Sequence, residues 1–271
     1  VGPMSGIDRT DAVDRLEQGD PAARDAWGAL VSAVRSASKP AALTGAGISV
    51  ESGVPDFRSE DGVWSRFPVE EYGTIDAFTS DPEKAWRLYR AIWSDIGDKR
   101  PNPGHEALAE LERAGHLAGI VTQNIDGLHQ AAGSRNVLEM HGDVRDLHCI
   151  ECGWKGPADV EALVATPSAP RCPECGRPVK PNAVFFGELV RGLPEIDELL
   201  DGCDLMLVIG TSALVFPASQ LPEWAASRGG RIAEYNLSTT ALDADFSVLG
   251  PAGRTLPQLA RDVLDRDTAP T

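Results

Sequence analysis

Four of the five cysteines fall in two pairs, Cys149-x-x-Cys152 and Cys172-x-x-Cys175, with residues 153–171 between them. No other feature constrains the fold as tightly. Two such knuckles at this separation close around one tetrahedral Zn²⁺, so residues more than twenty positions apart must meet in space. Gly153, Pro173 and Gly176 supply the turn chemistry that each knuckle needs. Two disulfides would satisfy the same arithmetic, but a reducing cytosol disfavours them, and buried apolar cysteines would not come in pairs. Four thiolates fill the coordination shell and leave no position for water or substrate, so the metal is expected to be structural. Cys203 stands alone beside an apolar strand and reads as a small buried hydrophobe.

The rest of the chain alternates strands and helices. Ala41–Thr44, Leu117–Val121, Val137–Met140, Asp204–Ile209 and Arg231–Tyr235 read as short, largely apolar strands. Between them lie helical patterns. Asp20-Pro21 offers an N-cap with Pro at the first helical position, followed by Trp27, Leu30, Val31 and Val34 on one face. Ser80-Asp81-Pro82-Glu83 starts a second helix with Ala85, Leu88, Tyr89, Ile92 and Ile96 as its stripe. Further helices are expected over 105–114, 217–228 and 255–264. Residues 5–19 are polar and acidic, a tail or a loose first helix, and the last residues should fray. Apolar strands separated by helices imply a parallel sheet covered on both faces. In such sheets ligands bind beyond the carboxyl ends of the strands. Here those ends carry Gly45-Ala46-Gly47, Gln123-Asn124-Ile125-Asp126, His141-Gly142, Gly210-Thr211-Ser212 and Asn236, which points to one crevice.

The first of these ends is the richest. Glycines after Thr44 would permit positive φ and let main-chain N–H groups approach a pyrophosphate. The spacing is Gly45-x-Gly47 with the next glycine only at Gly53, so the G-x-G-x-x-G fingerprint is absent and a tight turn explains the glycines equally well. Pro55-Asp56-Phe57-Arg58 is harder to explain by a turn alone. The formal charge of −16 disfavours nucleic acid and anionic membrane surfaces as direct partners and mildly favours cationic peptides. With no run of about eighteen apolar residues and no basic-then-apolar N-terminal segment, a membrane span and a secretory signal are not expected, and the expected location is cytoplasmic.

Taken together, Gly45-Ala46-Gly47-Ile48-Ser49, Pro55-Asp56-Phe57-Arg58, Gln123-Asn124-Ile125-Asp126, His141-Gly142, the four cysteines, Phe185-Phe186-Gly187-Glu188 and Gly210-Thr211-Ser212 resemble the sirtuins, the NAD-dependent protein-lysine deacylases. The resemblance runs from about Ala41 to Leu259. It implies an α/β fold: a Rossmann-like parallel-sheet domain with a smaller lobe made of a zinc-binding module and a helical insertion. The expected division is a tail over 1–19, the Rossmann-like domain over 20–66, 118–145 and 182–265, the helical insertion over 67–117 and the zinc module over 146–181.

The same resemblance implies a reaction and its residues. The acyl oxygen of an acyl-lysine attacks the nicotinamide ribose of NAD, nicotinamide leaves, and a histidine, here His141, activates a ribose hydroxyl toward the resulting imidate. Imidazole suits that task because it titrates near neutral pH, although the residue alone would pass for an ordinary strand-end histidine. Asn124 is carried over as its catalytic companion. Gly45, Ala46, Ser49, Asp56, Phe57, Arg58, Gln123, Asn124, Asp126, Gly210, Thr211, Ser212 and Asn236 are expected around NAD, with Asn124 and Asp126 at the carboxamide. An Asx turn is the plainer account of Asp126-Gly127. Tyr89, Val184, Phe186, Gly187, Glu188 and Val215 are expected at the acylated peptide, which would add as a strand between Val184–Glu188 and Leu214–Phe216, with plain core as the other reading of Phe185. Sirtuins that prefer succinyl or malonyl groups carry a Tyr with an Arg three residues on. Here Tyr89 is followed at that distance by Ile92, while Arg90 lies about 100° around the helix, so neutral acyl groups are expected. An ADP-ribosyltransferase or NAD hydrolase on the same scaffold is the alternative. His105, His116, His129 and His148 are expected to be ordinary structural residues. Target proteins and oligomeric state are not written in the sequence.

Overall fold

The computed structural model describes residues 11–265; the tail before Asp11 and the expected fraying after Asp265 lie outside them. Among these described residues nine strands form two sheets: β1 (Pro40–Thr44), β2 (Gly119–Thr122), β3 (Val137–Glu139), β4 (Gly142–His148), β5 (Lys155–Pro157), β6 (Lys180–Ala183), β7 (Leu205–Ile209), β8 (Arg231–Asn236) and β9 (Phe246–Leu249). The large sheet runs β3-β2-β1-β7-β8-β9 and every pair in it is parallel. This is the doubly wound Rossmann order, which reverses direction between β1 and β7. The small sheet, β5-β4-β6, is antiparallel.

Helices α1 (Ala12–Glu17) and α2 (Pro21–Ser36) precede β1. Three short helices, α3 (Val63–Arg66), α4 (Val69–Tyr72) and α5 (Ile75–Ser80), lead into α6 (Pro82–Ile96), and α7 (Pro103–Arg113) leads into β2. The remainder are α8 (Leu128–Ala131), α9 (Val160–Ala165), α10 (Leu193–Leu200), α11 (Leu221–Ser227) and α12 (Ala252–Leu264). None of the described helices is long and apolar enough to cross a membrane. Caps start the long ones where the sequence places them. The Asp20 carboxylate accepts from the Ala22 and Ala23 amides, and that of Asp81 from Lys84, each cap contributing about 1 kcal/mol.

Strand periodicity divides the core in two. Along β7, Leu205, Leu207 and Ile209 face a cluster built with α2, α7 and α12, whereas Met206 and Val208 face one built with α10 and α11. Both faces are covered, so all five residues are apolar and buried, each contributing about 2 kcal/mol. A third cluster forms the smaller lobe and joins α5 and α6 to β4, β6 and the zinc module: Trp86 and Trp93 donate their indole N–H groups to the carbonyls of Val179 and Val144 at 2.8 and 2.9 Å. Helix α7 belongs elsewhere. Its Ala107, Leu108 and Leu111 lie in the large-sheet cluster, because the stripe that starts at its Asn102 cap faces α12 and the sheet. We therefore propose ending the helical insertion near residue 101 rather than at 117.

Candidate active site

Beyond the carboxyl ends of the large sheet, where it meets the smaller lobe, lies a cleft of about 710 Å³. The turns after β1 and β7 build its floor at the point where strand order reverses. Gly45 donates to the Ile209 carbonyl at 3.0 Å and Gly47 to that of Gly210 at 2.8 Å. This corrects the reason expected for the glycines. Gly45 has an extended backbone, and neither it nor Gly47 has positive φ. A Cβ on Gly45 would sit 2.8 Å from Thr211 Cβ, and one on Gly47 2.7 Å from Gly210 Cα. Both are needed so that two loops can touch. Positive φ is found instead at Gly53, which ends the short 3₁₀ turn Ala46–Ser52, and at Gly210.

His141 opens onto the same cleft from the turn between β3 and β4. Its Nδ1 lies 3.0 Å from the Gln123 carbonyl oxygen. A carbonyl only accepts, so the ring proton is on Nδ1 and the lone pair on Nε2 is free to act as a base. Burial lowers the imidazole pKa, the Gln123 contact opposes that, and the Arg58 charge adds to the lowering. The ring is neutral at neutral pH. Gln123 in turn donates from Nε2 to Thr211 Oγ1 at 2.9 Å, tying the β2 end to the β7 end.

Of the residues expected at NAD, Gly45, Ala46, Asp56, Phe57, Arg58, Gln123, Asn124, Gly210, Thr211, Ser212 and Asn236 line this cleft. Tyr89, Val184, Phe186, Gly187, Glu188 and Val215, expected at the peptide, line it too. Ser49 and Asp126 do not. They face a small adjoining recess shared with Ala46, Phe57, Asn124 and Ile125. There the Asn124 amide donates from Nδ2 to the Gly45 carbonyl and to Ser49 Oγ at 3.1 and 3.2 Å, and the Ser49 hydroxyl donates to Asp126 Oδ2 at 2.8 Å. Burial raises the Asp126 pKa against the hydrogen bonds that it accepts from Leu128 and Ser49. That carboxylate also ends an Asx turn through the Leu128 amide at 2.9 Å, so the turn and the recess use different oxygens of one side chain. Asp56 is likewise shared: it lines the cleft while its Oδ1 accepts from the Arg58 and Ser59 amides.

Two histidines set aside in the sequence lie directly beneath. His105 Nδ1 accepts the Asn102 amide at 3.3 Å, which puts its proton on Nε2, 3.4 Å from Ser49 Oγ. Burial holds its pKa down at about 4. His129 Nε2 is 2.9 Å from Thr44 Oγ1, and burial lowers its pKa to about 3. Both are neutral packing partners under the recess, which a sequence cannot reveal because the contacts span 56 and 85 positions. Sequence reasoning also missed Trp64, Leu88, Val190 and Gly250–Ala252 at the cleft. The last follow β9, a four-residue strand hidden by the flanking Asp243 and Asp245. Arg90 points away: its guanidinium donates to the Leu163 and Ser168 carbonyls and ties α6 to the zinc module.

In the smaller lobe the four sulfurs of Cys149, Cys152, Cys172 and Cys175 all lie within 4.8 Å of one another. A tetrahedron with metal–sulfur bonds of about 2.3 Å has edges near 3.8 Å, so the donor set fits one structural Zn²⁺. Each knuckle is a backbone turn: Gly153 and Gly176, both at positive φ, donate to the carbonyls of Cys149 and Cys172.

A parallel sheet in Rossmann order, a nucleotide-sized cleft at its switch point and a tetrathiolate lobe beside it define the class. The Sir2 family profile matches residues 45–217. An NAD-dependent protein deacylase 1 of Archaeoglobus fulgidus is 42% identical over 230 residues, covering 82% of this chain and 91% of that one. An NAD-dependent protein deacetylase 1 of Pyrobaculum aerophilum is 43% identical over 235 residues, covering 85% and 92%. The crystal structure of a Sir2 homologue–NAD complex superposes with a TM-score of 0.81 at 40% identity, covering 87% of this chain and 93% of that one. The chain belongs to the Sir2 family.

Proposed function

We propose that this enzyme removes acyl groups, acetyl foremost, from lysine side chains of proteins at the expense of NAD, releasing nicotinamide and O-acyl-ADP-ribose. NAD supplies the ribose carbon from which nicotinamide departs and the hydroxyl that accepts the acyl group. The chain's own residues do the remainder. The single observation that carries the reading is the neutral His141 imidazole, its Nδ1 anchored on the Gln123 carbonyl at 3.0 Å, sharing one cleft with the glycine corner. Its Nε2 takes a proton from a hydroxyl held beside it, and the fixed tautomer spares reorganisation at that moment. The Asn124, Ser49 and Asp126 groups in the recess match the donors and acceptors of a carboxamide. Thr211, Ser212 and Asn236 take the phosphates and the adenosine ribose, and the Arg58 guanidinium, 3.4 Å from Ser212 Oγ, adds positive charge at that end.

Two neighbours in the fold hold peptide ligands. One is bound to a myristoylated histone peptide, with a TM-score of 0.75 at 34% identity, covering 89% of this chain and 97% of that one; another is a complex with a deacetylated p53 peptide, with a TM-score of 0.79 at 33% identity, covering 87% and 96%. They support acyl-lysine in proteins as the substrate. The apolar side of the cleft, built by Leu88, Tyr89, Ile92 and Phe185, supports neutral acyl groups over succinyl. Zinc-binding thiolates require a reducing setting, which supports a cytoplasmic site of action.

The deciding experiment is mass spectrometry of an acetylated peptide incubated with NAD. Wild type is expected to release one nicotinamide per acetyl group removed. His141→Ala is expected to lose about 10²–10⁴-fold in turnover and still bind NAD. Undiminished deacylation would reassign the base, and nicotinamide release that ignores the peptide would instead support an NAD hydrolase.

A further inference from the structure

Lys180 is completely buried, although lysine is among the residues least often found so. It sits at the start of β6, and all three ammonium hydrogens have acceptors nearby. Its Nζ lies 2.7 Å from the Ala183 carbonyl, 3.3 Å from that of Pro181 and 2.9 Å from Glu188 Oε2. It also lies 4.3 Å from the centre of the Phe185 ring. The same Glu188 oxygen accepts the Phe185 amide at 2.8 Å. One cation thus closes a loop of six residues at both ends, from the β6 carbonyls to Glu188.

That loop is the cleft wall. Its inner side is held by the Val184 amide donating to the His141 carbonyl at 2.7 Å and by the Phe186 amide donating to Gly73 at 2.9 Å. Phe185 stacks on Tyr89, centroids 5.0 Å apart and rings 9° from parallel, and Tyr89 faces the cleft. The cation, Phe185 and Tyr89 therefore form one column from the protein interior to the cavity. A charge taken out of water is costly unless its partner is fixed, and removing either member leaves the other uncompensated. A merely structural site could have used a hydrophobe of equal volume. What a lysine adds is a rigid grip on a short segment that has no regular secondary structure of its own.

We propose that Lys180 is a positioning residue for the acylated peptide: clamped to Glu188, it holds Val184–Glu188 in the conformation that receives the substrate strand and sets Tyr89 against the acyl group. The inference rests on the reading of Val184–Glu188 as the peptide-binding edge. It acts on the peptide side of the reaction and leaves the nucleotide side alone.

The test is steady-state kinetics with separate KM values for NAD and an acetylated peptide. Lys180→Met is expected to raise the peptide KM at least ten-fold, with kcat at saturating peptide within about three-fold and the NAD-induced rise in Tm intact. A lower Tm with an unchanged peptide KM makes the clamp merely structural and overturns the proposal. Should Lys180→Met not fold, Glu188→Gln keeps the acceptor for the Phe185 amide and removes only the charge; it is expected to raise the peptide KM at least three-fold, and no change overturns the clamp. The double variant is expected to be no worse than the worse single one, because the two groups act as a unit; effects that multiply overturn it. Amide hydrogen exchange of wild type with and without peptide separates the two levels of the claim. Absence of protection over residues 184–188 removes the peptide-edge reading itself, whereas protection there with an unaltered KM in the variants removes only Lys180.

Discussion

At the residue scale, the proposed chemistry turns on which nitrogen of His141 carries a proton and over what range of pH. The Gln123 carbonyl answers the first question. Burial answers most of the second by lowering the pKa, with Arg58 acting in the same direction and the Gln123 contact against it. A base works only when neutral, so a lowered pKa extends activity toward acid. The acid limb of kcat/KM for deacylation is expected below the ordinary histidine value of about 6.5. A pH profile of kcat/KM checks this, and a limb at or above that value would contradict the burial argument. His141 stood out in the sequence through the resemblance to the sirtuins at His141-Gly142; by itself it passes for an ordinary strand-end histidine. Its neighbours were legible to different degrees. Gln123 and Asn124 also end a strand. His105 and Lys180 gave no signal, because what marks them is complete burial: His105 meets Ser49 from a distant turn, and Lys180 is enclosed with carbonyls and a carboxylate from its own stretch of chain.

At the element scale, α6 shows how far pattern reading reaches. Its start at Asp81-Pro82 and its stripe of Ala85, Leu88, Tyr89 and Ile92 are as the spacing predicts. Ile92 is three positions on from Tyr89, so both side chains lie on one helical face, and that face closes the cleft. Ile92→Arg places a guanidinium beside the Tyr89 ring. It is expected to lower kcat/KM for an acetylated peptide at least ten-fold and to narrow or reverse the preference over a succinylated one, as competition between the two peptides would reveal. An unchanged acetyl-to-succinyl ratio would remove Ile92 from the acyl pocket. The small antiparallel sheet was not legible. β5 is three residues long and interrupted by Gly156, β6 holds Pro181 and Asn182, and β4 carries Arg145 and Asp146 on its exposed side. Their strand character comes from pairing with each other and from the metal turns beside them, more than from propensity. Helix α7 was legible as a helix, yet its lobe was not, since a stripe reveals that a face is buried and not which core buries it.

At the scale of the whole molecule, two lobes of different origin meet over one cleft. The large one rests on a parallel sheet whose two faces are both packed. The small one has a core of its own, in which buried Cys149 and Cys172 sit among α6, β4 and β6. Binding energy at a structural zinc site is folding energy, so stripping the metal with a strong chelator is expected to melt the smaller lobe first. The measurable result is an additional low-temperature transition in calorimetry, with loss of peptide turnover and retention of the NAD-induced stabilisation of the upper transition. A single cooperative melt with activity intact would deny the metal its structural role. By itself, the sequence determined the elements that rest on local physics: capped helices, apolar strands, two metal knuckles and polar residues at the strand ends. Only the tertiary structure decided that β1 and β7 lie side by side, that Gly45 and Gly47 are small so that the Gly210 turn can touch them, and that a buried lysine braces the wall of the cleft. The first two depend on contacts between residues far apart in the chain, and the third on how deeply the fold buries Lys180, whose acceptors Pro181, Ala183 and Glu188 are near it in sequence; packing and desolvation settle the energy, and no local pattern carries them.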